Sequence, residues 1–175
     1  MEPIILASSS PRRQDILKML KIPFRVIIPN IDETLSTVKE PELIPEVFAR
    51  EKISAVIHSL PSGQEIPWIL GADTVIVFEG KIFGKPQSHQ QAIEYLSQLQ
   101  GKKHTVVTAI VLYNGRVREI SSRICKTDIT FSPMSQQEIE WYAETGEWHG
   151  AAGGYRIQSL ASCFVSKIEG SYSGA

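Results

Sequence analysis

Cysteine is almost missing from this 175-residue chain: Cys125 and Cys163 are the only two, far apart and at no metal-ligand spacing. One pair cannot build a disulfide framework, so a reducing compartment is expected. No apolar run approaches the ~20 residues of a membrane-spanning helix, which sets aside that class. A charge excess of either sign is also lacking. Eighteen basic and nineteen acidic side chains leave a formal net charge of -1, without the basic surplus of a nucleic-acid binder. A small anionic ligand stays open, because it needs only a local cluster. The opening MEPIILASSSPRR carries the acidic Glu2 and four apolar residues before its serines, unlike a signal peptide, so a cytoplasmic location is expected. Several catalytic signatures are missing too: there is no His-Glu-x-x-His, no Gly-x-Ser-x-Gly and no Gly-x-Gly-x-x-Gly.

What is present suits one globular domain over residues 1–175, since 42% hydrophobic side chains on a chain of this length can bury a core. Short apolar runs alternate with amphipathic segments, which predicts an α/β or mixed α+β architecture. Ile4–Ala7 reads as a buried strand, followed by Ser10 as N-cap, Pro11 as first helical residue, and a stripe of Ile16, Leu17 and Leu20. Phe24–Ile28 reads as a strand ended by Pro29. Pro45 opens a helix with Ala49, Ile53, Val56, Ile57 and Leu60 at core spacing. Trp68–Phe78 is strand-like, and Glu79-Gly80 turns it into Lys81–Phe83. Ser88 caps a helix carrying Ala92, Tyr95, Leu96 and Leu99, stopped by Gly101. Val106–Tyr113 and Val117–Ile124 flank Asn114-Gly115, the strongest hairpin signal in the chain. Ser135 and Glu138 form a capping box ahead of Ile139, Tyr142 and Ala143, and Cys163–Ile168 is a last strand. Together these predict a mixed sheet with helices around it.

Four places carry chemistry. Ser8-Ser9-Ser10-Pro11-Arg12-Arg13 spans a strand-to-helix junction, where free backbone N–H groups and the helix dipole favour an anion. Two arginines in that first turn oppose the dipole, a placement that makes sense if a phosphate sits there; the plainer reading is a pair of solvated arginines. Asp73, in Gly71-Ala72-Asp73-Thr74, interrupts an apolar strand, which is costly unless the carboxylate is paired, metal-bound or in a cleft. Such a group can take a proton from water or hold a cation, although an aspartate at a strand end can also simply bond backbone amides. Asp32-Glu33, Glu51-Lys52 and Gly84-Lys85-Pro86 form a scattered third set, each alone best explained by surface solvation. Gly84-Lys85 is not a phosphate-binding P-loop, because the glycine spacing is wrong and Pro86 stands where Ser or Thr belongs. Gly150–Gln158 is rich in small residues that permit close backbone approach, and the Gln158 amide offers both donors and an acceptor to a base edge; the alternative is a flexible loop. His104 and His149 read as structural residues rather than ligands.

In this order the segments closely resemble the Maf family of nucleotide pyrophosphatases. The resemblance rests on Leu6-Ala7-Ser8 with Ser10-Pro11-Arg12-Arg13, Asp32-Glu33, Glu51-Lys52, Gly71-Ala72-Asp73-Thr74, Gly84-Lys85-Pro86, Gly101, His104, Thr108, Gly146-Glu147, Ala152-Gly153, Tyr155 and Ile157-Gln158. It implies an α/β fold with a mixed twisted sheet, flanking helices and a deep cleft, similar to inosine triphosphate pyrophosphatases. It also implies dependence on Mg²⁺ or Mn²⁺ and a homodimer. By position Asp73 matches the family's proton acceptor, while Arg12, Thr74 and Gln158 match residues that distinguish its branches and look like the dTTP/UTP branch. On this reading Ser8, Arg12, Arg13, Lys52 and Lys85 hold the triphosphate, Asp73 and Glu33 serve the metal, and Thr74 and Gln158 address the base. Two residues depart from the family pattern: Ala151 replaces its lysine and Arg156 its glycine, which suggests that Arg156 reaches the phosphates in the lysine's place. The rivals are a non-catalytic nucleotide-binding regulator of septum formation and an activity on modified nucleotides.

Overall fold

The computed structural model describes residues 2–31, 40–61, 63, 65 and 68–175. Its strands, in chain order, are β1 (Ile4–Ala7), β2 (Phe24–Val26), β3 (Trp68–Phe78), β4 (Lys81–Phe83), β5 (Lys103–Asn114), β6 (Glu119–Phe131) and β7 (Val165–Glu169). Its helices are α1 (Pro11–Met19), α2 (Ile44–Ser59), α3 (His89–Leu99) and α4 (Gln136–Glu144). The strands form a mixed seven-stranded sheet in the order β2-β1-β3-β5-β6-β7, with β4 paired to β3. The expected class is therefore observed. The chain divides into two compact units, residues 1–73 with 109–124 and residues 74–108 with 125–175.

In the first unit β1 runs parallel to β2 on one side and to β3 on the other, with Ile5 opposite Ile69 and Ala7 opposite Gly71. A strand bonded on both edges and covered on both faces needs continuous apolar sequence, and Ile5, Leu6 and Ala7 are all fully buried. Ile5 and Ala7 pack with Ala49, Ile53 and Val56 of α2 and with Ile69, Val111 and Tyr113. Gly71 lets that helix come close. A Cβ there would lie 2.5 Å from the Ala49 carbonyl oxygen and 2.8 Å from Ile53 Cγ1, so any side chain would push α2 off the strand. The helix α1 departs from expectation. Of its apolar residues only Leu17 is buried, whereas Ile16 is 44% and Leu20 62% exposed. Ser10 does occupy the N-cap position but makes no side-chain cap bond.

In the second unit β3 turns into β4 at Glu79 and Gly80, whose φ angles of 49° and 74° are both positive, as a two-residue hairpin turn requires. α3 begins as expected, with Ser88 accepting the Gln91 N–H at 3.1 Å, and α4 carries the full Ser135/Glu138 capping box. Their apolar faces close on Ile76, Phe83, Ile129, Phe131, Tyr155 and Phe164. The Asn114 turn, which belongs to the first unit, is present, with its side chain accepting the Arg116 N–H at 3.1 Å. The chain turns through residues 115–118, so Val117, expected to open a strand, lies in the turn and is 58% exposed.

Candidate active site

In the first unit three buried polar residues meet where β1, α2 and β3 come together. Ser8, Lys52 and Asp73 are each at least nine-tenths buried among an otherwise apolar core. Lys52 lies on the α2 stripe between Phe48 and Ile53, and the close approach at Gly71 carries it to β3. Its Nζ lies 2.5 Å from Asp73 Oδ1. Burying a lone charge would cost several kcal/mol, and pairing it offsets much of that. Lys52 thus neither snorkels outward nor solvates the surface. The β1–α1 turn supplies the remainder. Arg13 Nη1 donates to Ser8 Oγ at 3.1 Å and to the Ala72 carbonyl at 2.8 Å, so its guanidinium bridges the helix start to the residue before Asp73. Ser8 Oγ also accepts the Ser10 N–H at 3.2 Å, which satisfies one donor of the helix entry. Arg12, the next residue along the same turn, is exposed. Glu33 falls outside the described residues.

A divalent cation such as Mg²⁺ takes one or two protein carboxylates and completes its shell with phosphate oxygens and water. Among the described residues no cluster of three acidic, histidine or cysteine ligands exists. Asp73, a buried carboxylate ion-paired to Lys52, belongs to the oxygen-donor class that such an ion takes when a triphosphate supplies the other oxygens.

The second unit holds the other expected residues. Thr74 Oγ1 lies 3.0 Å from Thr108 Oγ1, each half-buried, so two hydroxyls of neighbouring strands orient one another. Lys85 is exposed on the loop after β4, and that loop is braced from behind. Gly153 N–H donates to the Gly84 carbonyl at 2.9 Å, and Gly154 approaches Pro86. Gly153 has φ +68°, and a Cβ on it would lie 2.2 Å from Ile76 Cδ1. The small residues from Ala151 on are therefore a packed brace, not a flexible loop, and Ala151 itself is fully buried. Gln158 is exposed and donates to the Ala175 oxygen at 2.7 Å. Arg156 Nη2 donates to the His149 carbonyl at 2.7 Å, with its Nε enclosed and lacking a hydrogen-bond partner among the described residues.

Glu147, a residue without an expected role, completes the second unit by accepting three hydrogen bonds. Glu147 accepts from the Tyr142 hydroxyl at 3.1 Å, from the Leu160 N–H at 3.2 Å and from the Ser159 hydroxyl. Only the place of Glu147 in the Gly146-Glu147 motif could have pointed to it, since the bonds span up to 13 residues. His104 and His149 are structural, as expected. His104 Nε2 lies 2.7 Å from the buried Tyr155 hydroxyl, and burial lowers the imidazole to about 4. His149 stacks on Trp148 at 3.7 Å and bonds the Gly146 carbonyl.

Residues 3–175 match the family described as Maf-like protein, and the chain belongs to the Maf family. It is 40% identical over 174 residues to a dTTP/UTP pyrophosphatase of Shewanella denitrificans, covering 97% of this chain and 86% of that protein. It is 41% identical over 172 residues to a dTTP/UTP pyrophosphatase of Pectobacterium atrosepticum, covering 98% and 85%. Among solved structures it resembles the Ham1 protein of Staphylococcus aureus, with a TM-score of 0.51 and 17% identity over 74% of this chain and 72% of that one. That likeness concerns the fold alone. Among the described residues no helix is long and apolar enough to cross a membrane.

Proposed function

We propose that the protein hydrolyses dTTP and UTP to the nucleoside monophosphate and pyrophosphate. The observation that carries this reading is the buried Lys52–Asp73 pair beside the Ser8–Arg13 turn, in a chain about 40% identical to dTTP/UTP pyrophosphatases. The water oxygen bonds to the α-phosphorus, the bond to the bridging oxygen of the β-phosphate breaks, and the water's proton passes to a carboxylate oxygen of Asp73. Arg12, Arg13, Lys52 and Lys85 hold phosphate oxygens and offset the charge that builds on them, with Ser8 keeping Arg13 in place. Asp73 and Glu33 would hold Mg²⁺ or Mn²⁺, which would supply Lewis-acid neutralisation of the phosphates. Thr74 and Gln158 address the base. Arg156, whose Nη2 donates to the His149 carbonyl, is a further phosphate contact on this reading.

This reading includes a cytoplasmic homodimer acting on free nucleotide rather than on nucleic acid. A panel of nucleoside triphosphates, assayed for pyrophosphate release with Mg²⁺, tests it. dTTP and UTP should be turned over faster than ATP, GTP and 7-methyl-GTP. Equal rates would remove the base assignment, and nucleotide binding without pyrophosphate would leave a regulator in place of an enzyme.

A further inference from the structure

Gln158 stands third in a tight turn, Arg156 to Ser159, closed by the Ser159 N–H on the Arg156 carbonyl at 3.1 Å. Both ends of that turn are held by one coupled pair of side chains. At its start the Arg156 N–H donates to the Tyr142 hydroxyl at 3.1 Å. At its end Glu147 accepts the Ser159 hydroxyl, and its Oε2 accepts the Leu160 N–H at 3.2 Å. The Tyr142 hydroxyl donates to the same Oε2 at 3.1 Å, which links the two holds. The Tyr142 side chain is fully buried, so the bracket hangs from the unit's core. Burial also pushes that phenol up, away from ionisation, and keeps it a donor.

We propose that Glu147 is a positioning residue for base selection: with Tyr142 it fixes the backbone on either side of Gln158 and so sets the direction in which the Gln158 amide meets the nucleobase. This rests on the reading of Gln158 as a base contact. The amide now donates one N–H to Ala175, and an amide has a second N–H and an oxygen to offer a base edge. The negative charge of Glu147 is not what the bracket needs. A glutamine in its place can accept from Tyr142 and Leu160 through its oxygen and donate to the Ser159 hydroxyl through its nitrogen.

The experiment measures kcat/KM for dTTP relative to ATP, together with inhibition by inorganic tripolyphosphate, which has no base. Glu147→Ala should lower the dTTP/ATP ratio by about tenfold or more, as misplacement of an orienting group does, with tripolyphosphate inhibition changed less than about twofold. Glu147→Gln should stay within about twofold of wild type on both counts, because its hydrogen bonds survive. In a Gln158→Ala background, Glu147→Ala should alter the ratio little, since the group it positions is gone. Tyr142→Phe cuts both links of the bracket with one atom and gives the same direction of change if Glu147→Ala fails to fold. An unchanged ratio in the folded Glu147→Ala and Tyr142→Phe proteins overturns the proposal. So do effects of Glu147→Ala and Gln158→Ala that multiply, or a Glu147→Gln as impaired as the alanine. If Gln158→Ala itself leaves the ratio intact, the base-contact reading and this proposal fall together. A ratio lost in Gln158→Ala and kept in Glu147→Ala removes only the positioning role.

Discussion

Lys52 Nζ lies 2.5 Å from Asp73 Oδ1, and both side chains are 6% exposed. A helix residue and a strand residue 21 positions apart thus share one buried ion pair, brought together by the close contact at Gly71. Each charge depends on the other to be tolerable in that place.

Asp73→Asn keeps the shape of the side chain and removes its charge and basicity. Turnover should fall by about 10²-fold or more. Stability should also fall, by about 3 kcal/mol, because a buried pair has lost one partner. Adding Lys52→Met should recover part of the stability and none of the activity. Denaturant unfolding and pyrophosphate release on the three proteins check both halves; a single variant with turnover within a few-fold of wild type removes Asp73 from the chemistry.

Arg13 has a sign that only its contacts determine. As a cation in a first helical turn it opposes the dipole, and on that ground Arg13→Ala would stabilise the free protein slightly. Its bonds to Ser8 Oγ and the Ala72 carbonyl argue the other way, since hydrogen bonds from a charged donor contribute about 1.5–3 kcal/mol. Arg13→Ala should therefore lower Tm without nucleotide and shrink the Tm rise that nucleotide brings. A higher Tm in the free variant would show that the dipole wins.

Gly153→Ala should destabilise the second unit by about 2–4 kcal/mol, combining left-handed backbone strain with overpacking against Ile76. Gly153 sits at φ +68° with Ile76 Cδ1 at 2.2 Å from where a Cβ would lie. Ile76→Val removes that methyl, so the double variant should be more stable than the sum of the two single losses. Exactly additive losses would place the cost elsewhere. Because Gly153 braces Gly84, kcat/KM should drop with it through misplacement of Lys85.

His104 should make stability pH-dependent. Burial lowers its folded value from 6.5 to about 4. Above pH 6.5 both folded and unfolded states carry a neutral imidazole, and its contribution is complete. As pH falls from 6.5 towards about 4 the unfolded chain takes up a proton that the folded one refuses, so stability is lost, at up to about 1.4 kcal/mol per pH unit. A backbone hydrogen bond at Lys102 and, after it, the charge of Asp128 oppose the lowering of the imidazole. Asp128, itself held low by Lys103 and Thr105, also loses its contribution as pH falls, and Tyr155 remains protonated throughout this range. His104→Gln removes the titration. Its Tm should fall less than that of wild type between pH 7 and 4.5, and parallel profiles would exclude His104 as the cause.

Several elements were legible in the sequence because their causes are local. The Glu79-Gly80 turn, the Ser88 cap, the Ser135/Glu138 box and the buried β1 run depend on residues within a few positions of one another, and each stands where it was expected. Asp73 stood out for a similar reason: a carboxylate inside an apolar strand demands a partner whatever surrounds it. Which partner it has was not legible, because Lys52 reaches it only when α2 packs on β3. The same holds for Ile16 and Leu20, whose apolar spacing on α1 says nothing about whether another element covers them. Arg156 and Gln158 were read as contacts for phosphate and base, and the backbone oxygens they bond, those of His149 and Ala175, were not legible. Local propensity and periodicity are properties of neighbouring residues and can be read in order along the chain. Pairing of charges, burial of a helix face and the bracketing of a turn by Glu147 and Tyr142 are set by distances between residues remote in sequence, and tertiary packing alone decides them.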